Sequence, residues 1–338
     1  MSPGQGTQSV REMRSHAEHG NEGTWNRGAG MMQGKSKPVQ VVGLGQACVD
    51  YVGRVPGYPA EDSKTELEGL FTSCGGPAAT ALVTLARSGI STSFLGSISD
   101  DRFGVQIVDT LKKEWVDISC LKITPGRTSQ FAFIAVTRGE GQRTIFWSRS
   151  SAPKLTPEEV SLDRFPDARI LHLDGLMVDA GKEAALQAKQ RHMTVVMDAG
   201  TLREGSLDLV SRVDILIVSE PFAEALTGAG APLQKALEEL RAMGPRQVVI
   251  TLGARGSIGL DQGGMVQQTA FPVVSIDTTG AGDVYHGAYV FGLLQKWTMA
   301  KCMAFASAAA ALKCMNGGGW RGIPGIRAIQ GLMKDSSR

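Results

Sequence analysis

The chain has 338 residues, 42% hydrophobic and 20% charged, a composition typical of a globular protein rather than a disordered one. A formal net charge of +2 without a dense Lys/Arg run argues against nucleic acid and membrane surfaces as partners. The longest apolar stretch, residues 303–312, is too short to span a bilayer. The five scattered cysteines form no C-x-x-C pair, which predicts free thiols in a reducing cytoplasm and argues against a zinc site.

Residues 1–37 are polar and rich in Gly, without sustained periodicity or an apolar signal region. We therefore predict a disordered leader over 1–37 and a folded domain over 38–330. In this domain short apolar runs alternate with stretches of helical spacing, which predicts a mostly parallel sheet with helices on both faces. The predicted strands are 39–45, 93–96, 170–173, 194–197, 215–218 and 248–251, and the predicted helices are 78–88, 181–192, 232–243 and 303–312.

Two segments interrupt the alternation. Residues 51–71 have no strong helical pattern, and residues 129–148 have the pattern of a hairpin with strands at 131–136 and 144–147. Strands that leave a parallel sheet form a small flap with an exposed edge. We predict lid segments at about 51–72 and 127–148.

The most specific motif is the run from Val274 to Ala288. A β-branched strand ends at Asp277, two glycines follow within Gly280-Ala281-Gly282, and a helix-compatible stretch begins. Amides at a helix N-terminus bind anions, and Asp283 on the same turn is placed to accept a proton. The pattern predicts an anion hole from the amides of Gly280, Ala281 and Gly282, with Asp283 as base for phosphoryl transfer.

This run resembles the second signature of the ribokinase-like, phosphofructokinase-B type carbohydrate kinases. The run Cys74-Gly75-Gly76-Pro77-Ala78-Ala79-Thr80-Ala81 resembles the first signature, and the likeness extends over about residues 39–330. The resemblance implies a ribokinase-like three-layer α/β/α sandwich with a β-sheet lid. It also implies an ATP-dependent kinase that uses Mg²⁺ and transfers the γ-phosphoryl group to a hydroxyl of a sugar or sugar derivative.

Several residues are candidates for the acceptor site. Asp50 lies just past the first predicted strand, where open α/β sheets bind ligands, and the resemblance gives it the sugar hydroxyls. Gly75 and Gly76 allow close approach of the backbone to the substrate. Thr80 stands where many family members carry an Asn that reaches the sugar, so sugar recognition is expected to differ. Basic residues of the lid segments either face the substrate, where they would hold a phosphate, sulfonate or carboxylate, or lie on a solvated surface; they are Lys64, Arg127, Arg138, Arg143 and Arg149.

The resemblance also implies an ATP site. The turn from Thr251 to Gly256 is similar to the family's phosphate-binding turn, which assigns Thr251, Gly253 and Gly256 to the nucleotide. Thr279 and Asn316 complete the predicted ATP site, and the Gly-rich loop at 316–322 is expected to border the adenine. Many members hold a monovalent cation, K⁺, near the position of Asp277.

A departure from the family concerns Mg²⁺. Residues 219–228 fall where the family carries Asn-x-x-Glu, and Phe222 takes the place of the Glu. Glu220 or Glu224 can substitute through water, because Mg²⁺ keeps several waters and needs few carboxylates; the alternative is that both are ordinary solvated side chains.

The motifs are closest to the sulfofructose-kinase-like branch, and they leave the acceptor open. One alternative is a nucleoside or other non-sugar kinase, for which Tyr51, Phe71, Phe131 and Phe133 would form a base pocket. Another is a catalytically weakened nucleotide-binding regulator, favoured by Phe222. An exposed lid edge also predicts a homodimer through the lid.

Overall fold

The computed structural model describes residues 37–138 and 142–335. Apart from residue 37, the predicted leader lies outside the described residues. No helix within those two ranges is long and apolar enough to cross a membrane.

The described residues form fourteen strands, nine α-helices and three short 3₁₀ turns. The strands are β1 Val41–Leu44, β2 Cys48–Val55, β3 Gly69–Gly75, β4 Thr92–Leu95, β5 Ser97–Ser99, β6 Lys122–Thr124, β7 Phe131–Thr137, β8 Arg143–Ser148, β9 Ile170–Leu173, β10 Thr194–Ala199, β11 Ile215–Ser219, β12 Gln247–Thr251, β13 Ser257–Asp261 and β14 Gly264–Gln268. The helices are α1 Pro77–Arg87, α2 Arg102–Lys113, α3 Val178–Gln190, α4 Ser206–Val210, α5 Glu220–Thr227, α6 Leu233–Ala242, α7 Ala281–Leu294, α8 Met299–Asn316 and α9 Ile326–Asp335.

The large sheet has eight strands in the order β14-β13-β12-β11-β10-β9-β1-β4. The six strands from β12 to β4 pair in parallel, and β13 and β14 continue the sheet in antiparallel pairing. These six strands are the ones predicted from the sequence, so the mostly parallel sheet is confirmed. Their short Val/Ile/Leu runs are buried because helices cover both faces.

The core has two halves, one on each face of the large sheet. Side chains of α1, α2, α7, α8 and α9 pack on one face, and those of α3, α4, α5 and α6 pack on the other. This arrangement confirms the predicted three-layer sandwich. It also places the N-termini of α1 and α7 beside the carboxyl ends of the central strands.

A separate four-stranded sheet has the order β3-β2-β7-β8. Strands β7 and β8 form the predicted hairpin, whereas the first predicted lid segment proves to be two strands, β2 and β3, that extend outside it to Cys48 and Gly75. Asp50 therefore lies within β2 and not in a turn after β1. The sequence of β2 lacks the alternation of a half-buried strand, because both faces of this strand are covered. On one face, Phe103 of α2 contacts Tyr51 and stacks on Phe131, with ring centroids 6.1 and 5.0 Å apart.

Phe222, at the position where the resemblance expects a glutamate, is a core residue. Its side chain has no exposed surface and packs in the half of the core formed by α3–α6. We expect Phe222→Ala to lower the free energy of unfolding by about 3–5 kcal/mol, the usual cost of emptying a buried aromatic site. Urea unfolding of the purified variant measures this. Met265→Ala, at an exposed site on β14, is the control and should stay within about 0.5 kcal/mol of wild type.

Candidate active site

A cavity of about 540 Å³ lies between the small sheet and the carboxyl ends of β1, β9 and β10. Strand β1 pairs with β4 on one side and with β9 on the other, so the order of the strands in the sheet reverses at β1. Open α/β sheets bind ligands at such a change of direction. The lining includes Gln46 after β1, Asp50 of β2, Trp147 of β8 and Asp283 of α7. The fold thus brings the two predicted carboxylates, Asp50 and Asp283, to one cavity.

Asp50 is held in place by its neighbours on the small sheet. Its Oδ1 accepts a hydrogen bond from Cys48 Sγ at 3.2 Å, and its side chain is buried. A Cβ atom on Gly75 would lie 2.1 Å from Asp50 Oδ2, so the carboxylate occupies the space that this glycine leaves. Gly76, the N-cap of α1, also lines the cavity. Burial raises the pKa of Asp50 to about 6.

This close packing makes Gly75→Ala a test of the position of Asp50. The added methyl group must displace the carboxylate, and misplacement of a substrate-positioning group by about 1 Å costs on the order of 10²-fold in rate. We expect kcat/KM for the acceptor to fall by roughly 10- to 100-fold, with the Kd for ATP unchanged. Steady-state kinetics and calorimetric ATP titration measure the two quantities. Gly57→Ala is the matched control, because a Cβ there meets no atom within 4 Å; equal losses in both variants would contradict this role.

The residues of the predicted anion hole lie at the start of α7. Gly280 adopts a left-handed conformation at φ 73°, which suits glycine, and α7 begins at the next residue. The first amides of an α-helix have no partner inside the helix, so they are available to an anion. Gly280, Gly282 and Asp283 line the cavity. Ala281 does not line it. The Ala281 amide instead donates to the Thr278 carbonyl at 3.2 Å, so this predicted donor is already used within the turn.

The Asp283 carboxyl is half-buried at the base of the cavity. Burial raises its pKa to about 6; the Arg143 guanidinium opposes this rise, and the carboxylates of Asp50 and Asp174 add to it. Arg143 reaches from β8 and donates to Thr278 Oγ1 at 2.6 Å. The small sheet therefore contacts the turn before α7, and Asp283 has a pKa suited to a base near neutral pH.

Polar atoms without partners cluster around the segment that precedes α7. This segment follows β14 and is irregular, so the strand predicted to end at Asp277 is not formed. Asp277 Oδ1 accepts from the Thr279 amide at 2.8 Å, but its Oδ2 makes no hydrogen bond within the described part of the chain. The same holds for Ser275 Oγ, Thr279 Oγ1 and Lys313 Nζ. Unpaired buried polar groups are costly and usually have a partner. Their concentration here indicates a ligand site.

The other predicted ATP residues lie further along the same sheet edge. Thr251 ends β12 and donates to the Val218 carbonyl at 3.2 Å, and Gly253 and Gly256 follow in a tight turn. Asn316 is exposed at the end of α8 and donates to the Gly322 carbonyl at 3.2 Å. Of the five predicted ATP residues, Thr279 lines the 540 Å³ cavity; the other four do not.

Three further predicted site residues, like Gly75, Asp277, Ala281 and the four ATP residues above, lie outside the cavity lining. Lys64 is exposed in the connection between β2 and β3. Thr80 is buried, and its Oγ1 accepts a hydrogen bond from Trp320 Nε1 at 2.8 Å, so it ties α1 to the loop after α8. Glu220 begins α5 and forms an ion pair with Arg255. Within residues 37–138 and 142–335, no group of three or more His, Cys, Asp or Glu side chains forms a metal site.

The structure adds polar residues that the sequence analysis did not single out. Asp174 follows β9, and its carboxylate accepts from the amides of Gln46 at 2.6 Å and Leu176 at 3.0 Å. The Gln46 side chain also bonds to Gln130. Asp198, near the end of β10, contacts His286 Nε2 at 3.2 Å. An acid at the carboxyl end of a predicted central strand is the signal that could have identified both aspartates.

Residues 39–324 match the pfkB family of carbohydrate kinases. This chain belongs to that family. The match covers both motifs and the strands that position them, and it confirms the predicted class of enzyme, an ATP-dependent carbohydrate kinase.

Individual relatives of this pfkB-family kinase are distant. A 5-dehydro-2-deoxygluconokinase of Clostridium tetani is 26% identical over 325 residues, covering 89% of this chain and 94% of the relative. A ribokinase of Haemophilus influenzae is 28% identical over 291 residues, covering 83% and 94%. A candidate ribokinase II from E. coli, solved with ATP and Mg²⁺, superposes with a TM-score of 0.77 at 22% identity, covering 88% of this chain and 99% of that one. The last likeness supports the ribokinase-like fold.

Proposed function

We propose that this kinase transfers the γ-phosphoryl group of MgATP to a hydroxyl of a sugar or sugar derivative, with Asp283 as the base. The observation that carries the proposal is the meeting of three features in one cavity. Asp283 supplies a carboxylate whose pKa is about 6, the start of α7 supplies amides for an anion, and Asp50 supplies a second carboxylate for acceptor hydroxyls.

The chemistry follows from these positions. The acceptor hydroxyl gives its proton to Asp283 while its oxygen forms a bond to the γ-phosphorus. The bond from this phosphorus to the oxygen that bridges the β- and γ-phosphates breaks, and ADP leaves. Amides of Gly280 and Gly282 stabilise the charge on the transferring group, and Asp50, Gly75 and Gly76 position the acceptor.

Mg²⁺ neutralises charge on the phosphates when it is bound. Glu220 does not fit a direct ligand, because its carboxylate is paired with Arg255. Phe222 cannot contribute, because it is an apolar core residue. Because few carboxylates are available near the site, we expect Mg²⁺ to keep most of its waters and to be held mainly by the nucleotide phosphates.

In this proposal the small sheet is the lid. Its inner face contributes Ala132, Ile134, Ile145 and Trp147 to the cavity, and these apolar groups would exclude water from the transferring phosphate. The segments 51–72 and 127–148 carry most of this sheet. Phe146 of its edge strand, β8, does not line the cavity and is about half exposed, which supports the predicted homodimer through the lid. The cytoplasmic location stays a prediction.

The sequence analysis left two rivals open. A nucleoside kinase would need its aromatic residues in the cavity, but Tyr51, Phe71, Phe131 and Phe133 are not among the lining residues. Tyr51 and Phe131 instead contact Phe103 of α2. A nucleotide-binding regulator without turnover would not need a base. The presence of Asp283 in the proposed anion-binding turn therefore favours an active kinase over a regulator. The relatives are named for different acceptors, so the sulfofructose-kinase-like branch stays a prediction.

The role of Asp283 is tested by Asp283→Asn, which keeps the shape of the side chain and removes the base. We expect kcat to fall by roughly 10²- to 10⁴-fold while the Kd for ATP changes little. Coupled ADP-release kinetics and calorimetric titration give the two values. Asp109→Asn, at an exposed position of α2, should match wild type. Turnover near the wild-type rate in Asp283→Asn would rule out the base assignment.

The raised pKa values predict how activity depends on pH. Asp283 and Asp50 each have a pKa of about 6, and both act as carboxylates in this proposal. Protonation below pH 6 removes the base, so kcat/KM should fall about tenfold per pH unit, and more steeply if Asp50 must also be ionised. A pH–rate profile with saturating ATP measures this. A rate that stays constant down to pH 5 would contradict the assignment.

A further inference from the structure

The cavity is lined by more positive than negative side chains. Four cations, Arg143, Arg149, Lys154 and Arg203, line it together with two carboxylates, Asp50 and Asp283. Arg143 donates a hydrogen bond to Thr278 in the turn before α7 and is held there by it. Arg149 and Lys154 lie in the connection between β8 and β9, and Arg203 follows β10, so two separate parts of the chain bring these positive charges to one space.

Within residues 37–138 and 142–335, none of these three cations is paired with an acid at contact distance, although the charge of Lys154 also acts on the buried carboxylate of Asp174. The Arg149 guanidinium lies 5.2 Å from the centre of the Trp147 ring, and Lys154 Nζ donates to the Leu176 carbonyl at 2.7 Å. Leu176 is itself fixed by the carboxylate of Asp174. The Trp147 ring therefore orients the Arg149 guanidinium, and the Leu176 carbonyl orients the Lys154 ammonium. Neither group carries a negative charge that would neutralise these cations.

We infer that the acceptor is anionic, a sugar derivative that carries a phosphate, sulfonate or carboxylate away from its reacting hydroxyl; this inference rests on the proposed function. Arg149, Lys154 and Arg203 would bind the anionic group, and Asp50 and Asp283 would bind hydroxyls. All three residues are solvent-exposed, so a neutral sugar would leave their charges hydrated, whereas an anionic group would accept charge-assisted hydrogen bonds from them. ATP is the competing anion, because its γ-phosphate would enter this cavity at the Gly280 and Gly282 amides. The rest of its predicted site, at Thr251 to Gly256, follows β12, and none of the residues assigned to that turn lines this cavity.

The test compares four acceptors of similar size: a neutral ketohexose, its 6-phosphate, its 6-sulfonate and a hexonate. We expect kcat/KM to be at least roughly tenfold higher for one of the charged acceptors than for the ketohexose, the effect of one charge-assisted hydrogen bond. Comparison of the three charged compounds identifies the anionic group. Arg149→Gln, Lys154→Gln and Arg203→Gln should each raise the KM for that acceptor by roughly 10- to 100-fold, without changing the KM for ATP.

Arg138→Gln is the matched control, because Arg138 also belongs to the small sheet region but pairs with Glu68 and does not line the cavity. Its KM values should equal those of wild type. Efficient phosphorylation of the neutral ketohexose alone would overturn the inference and leave the proposed function intact. A rise in the KM for ATP alone in the three variants would also overturn it. If no acceptor yields ADP from a protein that binds ATP, the proposed function fails as well.

A second, independent observation concerns Lys313 of α8. Its side chain is only 1% exposed, and its ammonium makes no hydrogen bond within the described residues. The end of α8 is fixed beside the turn before α7, because the Cys314 carbonyl accepts from the amides of Ile276 at 2.9 Å and Asp277 at 3.3 Å. Burial lowers the pKa of Lys313, and the acids that oppose this fall are Asp277, most strongly, Cys314 and Asp283. Within the described residues neither aspartate forms an ion pair with Lys313.

The K⁺ expected near Asp277 does not fit well beside this group, because an ammonium already in place would repel a second cation. Asp277 Oδ2 is buried and has no hydrogen-bond partner within the described residues, and a positive charge near it would offset the cost of burying this carboxylate. A monovalent cation would supply such a charge. The geometry points to Lys313 as a built-in substitute for that cation, a positioning residue that stabilises the turn at 277–280 for the nucleotide phosphates. Binding of ATP should then need no K⁺.

Calorimetric titration of ATP in KCl, NaCl and tetramethylammonium chloride at equal ionic strength tests this role. We expect the wild-type Kd to vary by less than about twofold. Lys313→Met, which keeps the length of the chain without its charge, should weaken ATP binding by roughly tenfold or more in tetramethylammonium chloride. Lys313→Gln should behave alike, and thermal unfolding of both variants checks that they are folded.

Lys301→Met is the control on the same helix, because this exposed lysine lies over the Trp297 ring; its ATP binding should match wild type in all three salts. Partial recovery of ATP binding by K⁺ in Lys313→Met would support the role strongly. A wild-type enzyme whose ATP binding requires K⁺, or a Lys313→Met enzyme that binds ATP as wild type does, would overturn it.

Discussion

The positive end of α7 and the carboxylate of Asp283 share one helical turn, and the rest of the site is arranged around this pair. An anion hole and a base are useful together only if water is kept out and the acceptor arrives from the opposite side. The large sheet fixes α7 by its buried face, and the small sheet supplies Asp50 from across the cavity. The catalytic geometry therefore depends on two sheets that meet at the carboxyl ends of β1 and β9.

Burial raises the pKa values of Asp283 and Asp50 and so makes both carboxylates stronger bases than aspartate in water. An aspartate in water has a pKa near 3.9 and is a weak base; loss of solvent raises the pKa values of Asp283 and Asp50 to about 6. Arg143 limits the rise at Asp283 and contacts the turn before α7. Because Arg143 belongs to the small sheet, movement of this sheet would change both the solvent and the charge around the base.

The sequence predicted the parallel sheet, the hairpin β7–β8 and the turn at 280–283, because each has a strong local signal: apolar runs, alternation, or glycines before a helix. It did not predict β2, since a strand covered on both faces loses its alternation, nor β3, which is mostly exposed or half-buried and has no apolar run. It placed Lys64 and Glu220 in the site, whereas Lys64 is exposed and Glu220 pairs with Arg255. Contacts between residues distant in sequence decide such cases, as the hydrogen bond from the Gln46 amide to Asp174 also illustrates.

The central claim is that the start of α7 binds the transferring phosphoryl group opposite Asp283. A crystal structure of the wild-type kinase with ADP, Mg²⁺ and beryllium fluoride, a stand-in for the γ-phosphoryl group, tests it most directly. The account predicts fluoride atoms within hydrogen-bond distance of the Gly280 and Gly282 amides, with the Asp283 carboxylate facing the beryllium from the acceptor side. Beryllium fluoride bound beyond hydrogen-bond reach of these amides, with Asp283 turned away from it, would contradict the account.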